Sequence, residues 1–431
     1  MENYSIVLLI LAILIALSAV ADNIRIPYPI LLVIAGMTIG FIPSLPAPDL
    51  NPEVIFLLFL PPMLYDAAFN ISFKDFKINI NTIANLSISL VFLTVVGIAV
   101  VAHYCIPGMS WPVSFVLGAI LSATDAVAAM SVTKGLGLPK KTLTILEGES
   151  LINDASALIA YRLSIAAVTG AAFVFWKASL DFVILLVGGL LAGLIISRML
   201  AFFLRKVRHN SMVVMSLMLL MPFVTYAIAE EIHVSGVIAV VTLGLTISRY
   251  SELVFPEKLK QESKTIWDII VFLLNGLVFI LIGLEFPHVV KNIDPKLVLP
   301  YIGYAALISF AALLLRTGRI FIQQINLQSA FRKGKGRISE HALLDFKNSL
   351  VISWSGMRGI VSLAIAIGLP STLANGMPFP QRDAIVFISV VVVLFTLIGQ
   401  GLTLPLLIRL LKIEEEPEVP VKVKVKQLKR R

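Results

Sequence analysis

Long apolar runs, each closed by a short charged loop, repeat along nearly the whole 431-residue chain. A bilayer core is crossed by about 20 apolar helical residues, and the charge-poor stretches fit that length. They predict thirteen crossings, near 4–21, 27–42, 53–69, 83–103, 112–131, 143–168, 181–200, 211–229, 232–248, 266–285, 298–320, 342–369 and 384–408. The stretches that start near 27, 53 and 232 are short or interrupted by proline. The expected fold is an all-α polytopic membrane bundle.

Composition narrows the classes further. The chain is 58% hydrophobic and 14% charged, with a mean hydropathy of +0.94. Soluble domains are about 45–50% apolar and about 25% charged, so both a soluble globule and intrinsic disorder are excluded. Thirteen crossings use about 260 residues, which leaves short loops and a tail at 409–431. The single cysteine, Cys105, excludes an intrachain disulfide and a thiolate metal cluster. The first apolar run lacks a basic leader and a small-residue cleavage site, so a retained helix is expected rather than a signal peptide.

Charge placement sets the orientation. One set of alternating loops carries Arg25, Lys74, Lys77, Lys134, Lys140, Lys141, the Arg198–Arg208 cluster, Lys258, Lys260, Lys264 and the run Arg332–Arg337. The opposite set has only Lys177, Lys291, Lys296 and Arg382, beside several acids such as Glu230, Glu231 and Asp294. Lys and Arg concentrate in cytoplasmic loops, which puts the C-terminus inside and the N-terminus outside. Eight of the 35 basic residues lie from Arg409 onward, so the net charge of +9 reads as membrane-orienting and no nucleic acid is expected as a partner. In the tail, Glu414, Glu415, Glu416, Glu418 and Pro420 precede alternating Val and Lys, a pattern of either an amphipathic strand or a basic tail near anionic lipid.

The chemistry lies in ionisable residues inside apolar stretches: Asp66, Asp125, Glu147, Glu149, Asp154, Arg162, Arg316 and Arg358. Each costs at least about 2.5–3.5 kcal/mol at a mid-helix position, so such groups line ion paths or pair internally. Arg162, near a helix end, fits snorkelling or a structural pair. Glu147, Ser150 and Asp154 are spaced three and four apart and share one helical face, with Asn153 beside it. A hydroxyl, an amide oxygen and a carboxylate are hard ligands suited to a small alkali cation. The carboxylate can also take a proton.

Two further stretches suit local unwinding. Ser122-Ala123-Thr124-Asp125-Ala126 lies mid-crossing, and Ser353-Trp354-Ser355-Gly356-Met357-Arg358-Gly359 lies in the other half of the chain. Corresponding interruptions of this kind point to a midplane site between inverted repeats, although no residue-level repeat is visible. Gly356 and Gly359 permit unusual backbone or close helix packing. Arg358 can neutralise helix-end dipoles and a nearby acid. Pro61-Pro62 kink or end a helical turn, ahead of an Asp66 that lines the approach or holds a loop.

Four strings carry a resemblance: Phe59-Leu60-Pro61-Pro62 with Asp66, Ala123-Thr124-Asp125-Ala126-Val127-Ala128, Glu147-Gly148-Glu149-Ser150-Leu151-Ile152-Asn153-Asp154, and Gly356-Met357-Arg358-Gly359. Four in order, each on a predicted crossing, resemble the cation:proton antiporter-1 family, over essentially all of residues 5–410. The resemblance implies an antiporter domain over 1–408, built from a core bundle and a dimerisation bundle interleaved in sequence. Its fifth and twelfth crossings would be discontinuous and cross each other. It further implies a homodimer in the cell membrane that serves ion and pH homeostasis, with no cofactor and no enzymatic activity. Asp154 matches the family's ion- and proton-binding aspartate and Asn153 its usual neighbour. Ser150, Thr124 (through its backbone carbonyl) and Asp125 match further ion-site positions. Asp66 matches the acid on the third helix, Glu149 and Arg316 a buried charge pair, and Arg358 the arginine by the second break. The Asn–Asp pair implies electroneutral exchange of one sodium, or lithium, for one proton.

The residues themselves leave other readings open. Oxygen ligands do not fix cation radius, so a potassium-preferring antiporter is the first alternative. A cation channel would conduct without proton exchange, and a membrane enzyme would need a base beside Ser150. None of His103, His209, His233, His288 and His341 is near it in sequence.

Overall fold

The computed structural model describes residues 2–24, 28–41, 52–133, 136–170, 175–207, 210–332, 345–373 and 376–413. The acidic and basic tail from 414, most of the run 332–337, and Arg25, Lys134, Arg208, His209 and His341 lie outside the described residues.

The chain runs α1 (Glu2–Ile24), α2 (Tyr28–Gly40), α3 (Pro52–Asn70), α4 (Phe73–Cys105), α5 (Trp111–Ile120), α6 (Ala126–Thr133), α7 (Lys140–Val168) and α8 (Phe175–Val207). It continues through α9 (Ser211–Glu231), α10 (Gly236–Val254), α11 (Glu257–Lys291), α12 (Pro295–Arg332), α13 (Phe346–Trp354), α14 (Ile360–Ile367), α15 (Arg382–Leu394) and α16 (Gly401–Leu411). A π-helical segment, Phe395–Gln400, joins α15 to α16. With the α5/α6, α13/α14 and α15/α16 pairs each taken as one interrupted helix, the described residues form thirteen helical segments in the predicted order. Eight are long and apolar enough to cross a membrane.

Helix ends differ from the apolar runs for a physical reason. The α4 helix starts at Phe73 and α11 at Glu257, each about ten residues before its predicted crossing. A charge-free run measures the apolar slab, whereas polar helical turns outside it keep their own hydrogen bonds and carry on. Side-chain caps fix some starts. Asn210 accepts from the Val213 N–H, Ser235 from Ile238 and Asp345 from Asn348, at 3.3, 3.3 and 3.0 Å. The expected proline interruption does not end a helix: α3 runs through Pro61 and Pro62. Membrane helices tolerate this because neighbouring groups re-satisfy the freed carbonyls.

Packing divides the helices into two groups. The first comprises α1–α3 and α8–α11, with α2 lying along α11 and α8 along α10. Gly36 of α2 sits so close to Ile280 and Gly283 of α11 that a Cβ would collide with backbone, the small-residue packing that membranes favour. The second group comprises α4–α7 and α12–α16, where α4 packs on α5, α7 and α12. Contacts of α3 with α7 and α14, and of α11 with α14 and α15, form the seam between the groups. That seam holds the site.

Candidate functional site

Both predicted interruptions are real. Helical structure stops after Ile120 and resumes at Ala126, and stops after Trp354 and resumes at Ile360. The two extended stretches cross and bond directly, the Asp125 N–H donating to the Met357 carbonyl at 2.8 Å. Each break exposes a helix N-terminus and a helix C-terminus inside the bundle, and these ends need hydrogen-bond partners there.

Two charged residues meet those four ends. Asp125 accepts from the Ala128 N–H at 3.0 Å and from the Ile360 N–H at 3.4 Å, so one carboxylate serves the N-termini of both α6 and α14. Arg358 donates to the Leu121 carbonyl at the end of α5 (2.9 Å) and to the Gly356 carbonyl just after α13 (2.6 Å). The guanidinium therefore caps C-termini, and the nearby acid belongs to another cation. Arg316 holds Glu149 through two bonds of 2.6 Å and also donates to the Ile352 carbonyl at 3.1 Å.

The glycines are explained by space. A Cβ on Gly359 would fall on the Asp125 carboxylate, and one on Gly356 on the Arg316 guanidinium. Neither has a positive φ. Their role is to admit a charged side chain from another helix.

Helix α7 supplies the rest. The Ser150 hydroxyl donates to the Thr124 carbonyl at 2.6 Å, and its oxygen accepts from the Ala126 N–H at 3.2 Å. The Asn153 amide donates to the Thr124 hydroxyl at 2.8 Å. These bonds tie the first break to α7 within one turn of Asp154, which is 8% exposed. Asp154 Oδ1 and Asn153 Oδ1 are buried acceptors without a hydrogen-bond partner among the described residues.

Asp154 faces a cavity of about 110 Å³ at the seam, together with Asp66, Thr124, Asp125, Glu147 and Ser150. The shared face of Glu147, Ser150 and Asp154 is thus the cavity wall. Asn153 is fully buried and is not among the residues that line it, so it grips the break from behind. Asp66 lies on the wall, where Asn70 donates to it at 2.8 Å. A wider cavity of about 600 Å³ adjoins the first, shares Asp66, Val127, Met130 and Val271 with it, and reaches Thr133, Gly137 and Leu143. Among the described residues no group of three or more His, Cys, Asp or Glu is arranged to hold a metal ion.

A profile for transmembrane sodium/hydrogen exchangers matches residues 8–410. The chain belongs to that family. This exchanger-family chain is 36% identical to a sodium, potassium, lithium and rubidium/H(+) antiporter of Bacillus pumilus, with all of this chain aligned to 65% of that relative. It therefore spans about two thirds of that protein's length. A Na(+)/H(+) antiporter, NhaH, of Halobacillus dabanensis is 31% identical, with 94% of this chain and 96% of the relative aligned. The structure of the sodium proton antiporter MjNhaP1 from Methanocaldococcus jannaschii superposes with a TM-score of 0.71, over 93% of this chain and 99% of that one, at 19% identity. The chain is an all-α multi-pass membrane protein with two crossing discontinuous helices, as its apolar runs and the family resemblance lead one to expect.

Sequence reasoning missed some of the groups that hold the two breaks. The Ile352 and Leu121 carbonyls that hold the two arginines carry no side-chain signal. Thr396, whose hydroxyl accepts from the Arg358 N–H at 3.1 Å, sits in an ordinary apolar stretch. Arg162 resolves to the structural pair, meeting Glu230 at 2.6 Å.

Proposed function

We propose that the protein exchanges sodium, or a related alkali cation, for protons at Asp154. The observation that carries this reading is the balance of charge at the crossing. Asp125 faces two helix N-termini and Glu149 is paired with Arg316, whereas Asp154 has a buried oxygen with no partner among the described residues. A cation or a proton would supply the missing counter-charge, with the Ser150 hydroxyl and the Thr124 carbonyl as hard oxygen neighbours. An empty, ionised Asp154 would have to cross a low-dielectric seal, which is strongly penalised. Only the occupied core then moves, by rocking or sliding of one helix group against the other, and mutual exclusion at one carboxylate couples the two ions.

Asn153 cannot lose a proton, which supports a one-for-one, electroneutral cycle. The wider cavity is lined by Gly137, Leu138 and Leu143, beside Lys140 and Lys141 in sequence, which supports an inward-facing state with the positive loops cytoplasmic. That topology, with the N-terminus outside, rests on the loop charges. The assignment of the first helix group to homodimerisation rests on the family resemblance. A potassium-transporting variant of the same scheme is favoured by one observation, the four cations in the name of the Bacillus pumilus relative.

The test is proton movement in proteoliposomes on one-sided addition of sodium, lithium or potassium, with the membrane potential clamped and then varied. Sodium- or lithium-driven flux, indifferent to voltage and abolished in Asp154→Asn, is expected. Lowering the pH on the cation side should raise the cation concentration for half-maximal rate. Normal flux in D154N sinks the scheme, and a response confined to potassium selects the variant.

A further inference from the structure

The second break, residues 355–359, is held from a third direction that the ion site does not explain. The interrupted helix α15–α16 runs beside it and makes two side-chain hydrogen bonds to this region, one to the unwound Arg358 and one to Trp354 at the end of α13. Thr396 Oγ1 accepts from the Arg358 N–H at 3.1 Å, just before α14 begins. Thr403 Oγ1 accepts from the Trp354 indole N–H at 2.8 Å, at the last residue of α13. Between the two threonines lies most of the π-helical segment Phe395–Gln400. A π-turn takes in one residue more than an α-turn and recurs at functional positions.

The Arg358 N–H has few other choices. Its peptide lies outside both half-helices, and the residue is 2% exposed. Thr396 is itself 4% exposed, and its hydroxyl proton is committed to the Val393 carbonyl at 3.1 Å. The hydroxyl oxygen therefore points at the break by construction.

From there a short chain of bonds reaches the ion-binding wall. Arg358 adjoins Met357, whose carbonyl accepts the Asp125 N–H at 2.8 Å. Asp125 adjoins Thr124, whose carbonyl accepts the Ser150 hydroxyl at 2.6 Å. We infer that Thr396, presented by the π-turn and seconded by Thr403, is a positioning residue that fixes Met357–Arg358 and through it the Thr124 carbonyl at the ion site. This inference rests on the exchange reading above and extends it to a helix that contributes nothing to the cavity wall.

The test compares Thr396→Val, which keeps the shape and loses the hydroxyl, with Thr396→Ser, which keeps the hydroxyl. Both are reconstituted beside the wild type, and sodium-driven proton flux is measured over a range of sodium concentrations. Loss of about one hydrogen bond to a buried N–H predicts a rise of about five- to tenfold in the half-saturating sodium concentration of T396V. T396S should stay within about twofold of wild type. A purely structural threonine would lower yield or maximal rate in T396V and leave half-saturation unchanged, and that outcome overturns the inference. So does equal damage in T396S. A wild-type protein that moves no protons with any cation takes down the exchange reading and this inference with it, whereas an active wild type matched by T396V overturns this inference alone.

Discussion

Helix α7 carries two ion pairs of the same length in opposite surroundings. Glu149 meets Arg316 at 2.6 Å with both side chains at most 2% exposed, and Arg162 meets Glu230 at 2.6 Å with the side chains 36% and 29% exposed. Distance alone would rank them equal, but solvent decides otherwise. The inner pair is enclosed, doubly bonded and backed by the Ile352 carbonyl. Removal of one partner strands a charge where nothing can solvate it. The outer pair exchanges one partly hydrated state for another. Glu230 also accepts from the Gly236 N–H at 3.0 Å, so part of its work is capping α10.

The largest effect is expected from splitting the inner pair. Glu149→Leu or Arg316→Met alone should cost about 3–5 kcal/mol of stability, read as a large drop in the melting temperature of the purified protein. The double variant should recover much of that loss, because two apolar groups leave no unpaired charge. A double variant as unstable as the worse single one would mean that the pair itself stabilises the fold.

A smaller change should follow from crowding the inner pair without removing it. Gly356→Ala places a methyl group against the Arg316 guanidinium. Overpacking of this kind costs about 1–3 kcal/mol. If the melting temperature of G356A matches wild type, the glycine is not what makes room for the arginine.

The smallest effect belongs to the outer pair. Arg162→Ala should cost about 0–1 kcal/mol, and the difference should fade as salt is raised. The same variant at high and low ionic strength gives the sharpest contrast with E149L, whose penalty should be nearly independent of salt. A salt-independent penalty above about 2 kcal/mol in R162A would show the outer pair to be as shielded as the inner one.

The legible parts of the molecule follow from local rules. Charge-free runs located the crossings because lipid admits little else. Helical spacing put Glu147, Ser150 and Asp154 on one face, and small residues around Thr124 and Gly356 marked the breaks. The same rules could not say whether Pro61-Pro62 end their helix, which they do not, and they stopped short at the starts of α4 and α11, where helix outruns the apolar run. Asn153 is adjacent to Asp154 in sequence, yet its amide holds the first break and leaves the cavity wall to its neighbours.

The amino-acid sequence by itself determined that the chain is a many-helix membrane protein with acids buried near two interruptions, because apolar length and the cost of burying charge act residue by residue. Only the tertiary structure decided which acid is matched by which counter-charge. Glu149 and Arg316 are 167 positions apart, Asp125 receives the N–H of Ile360 235 positions away, and Thr396 reaches Arg358 across 38. Such pairings depend on how helices cross, and electrostatics at hydrogen-bond distance is set by that crossing rather than by sequence spacing. Asp154 stands out only once Asp125 and Glu149 have been given their partners.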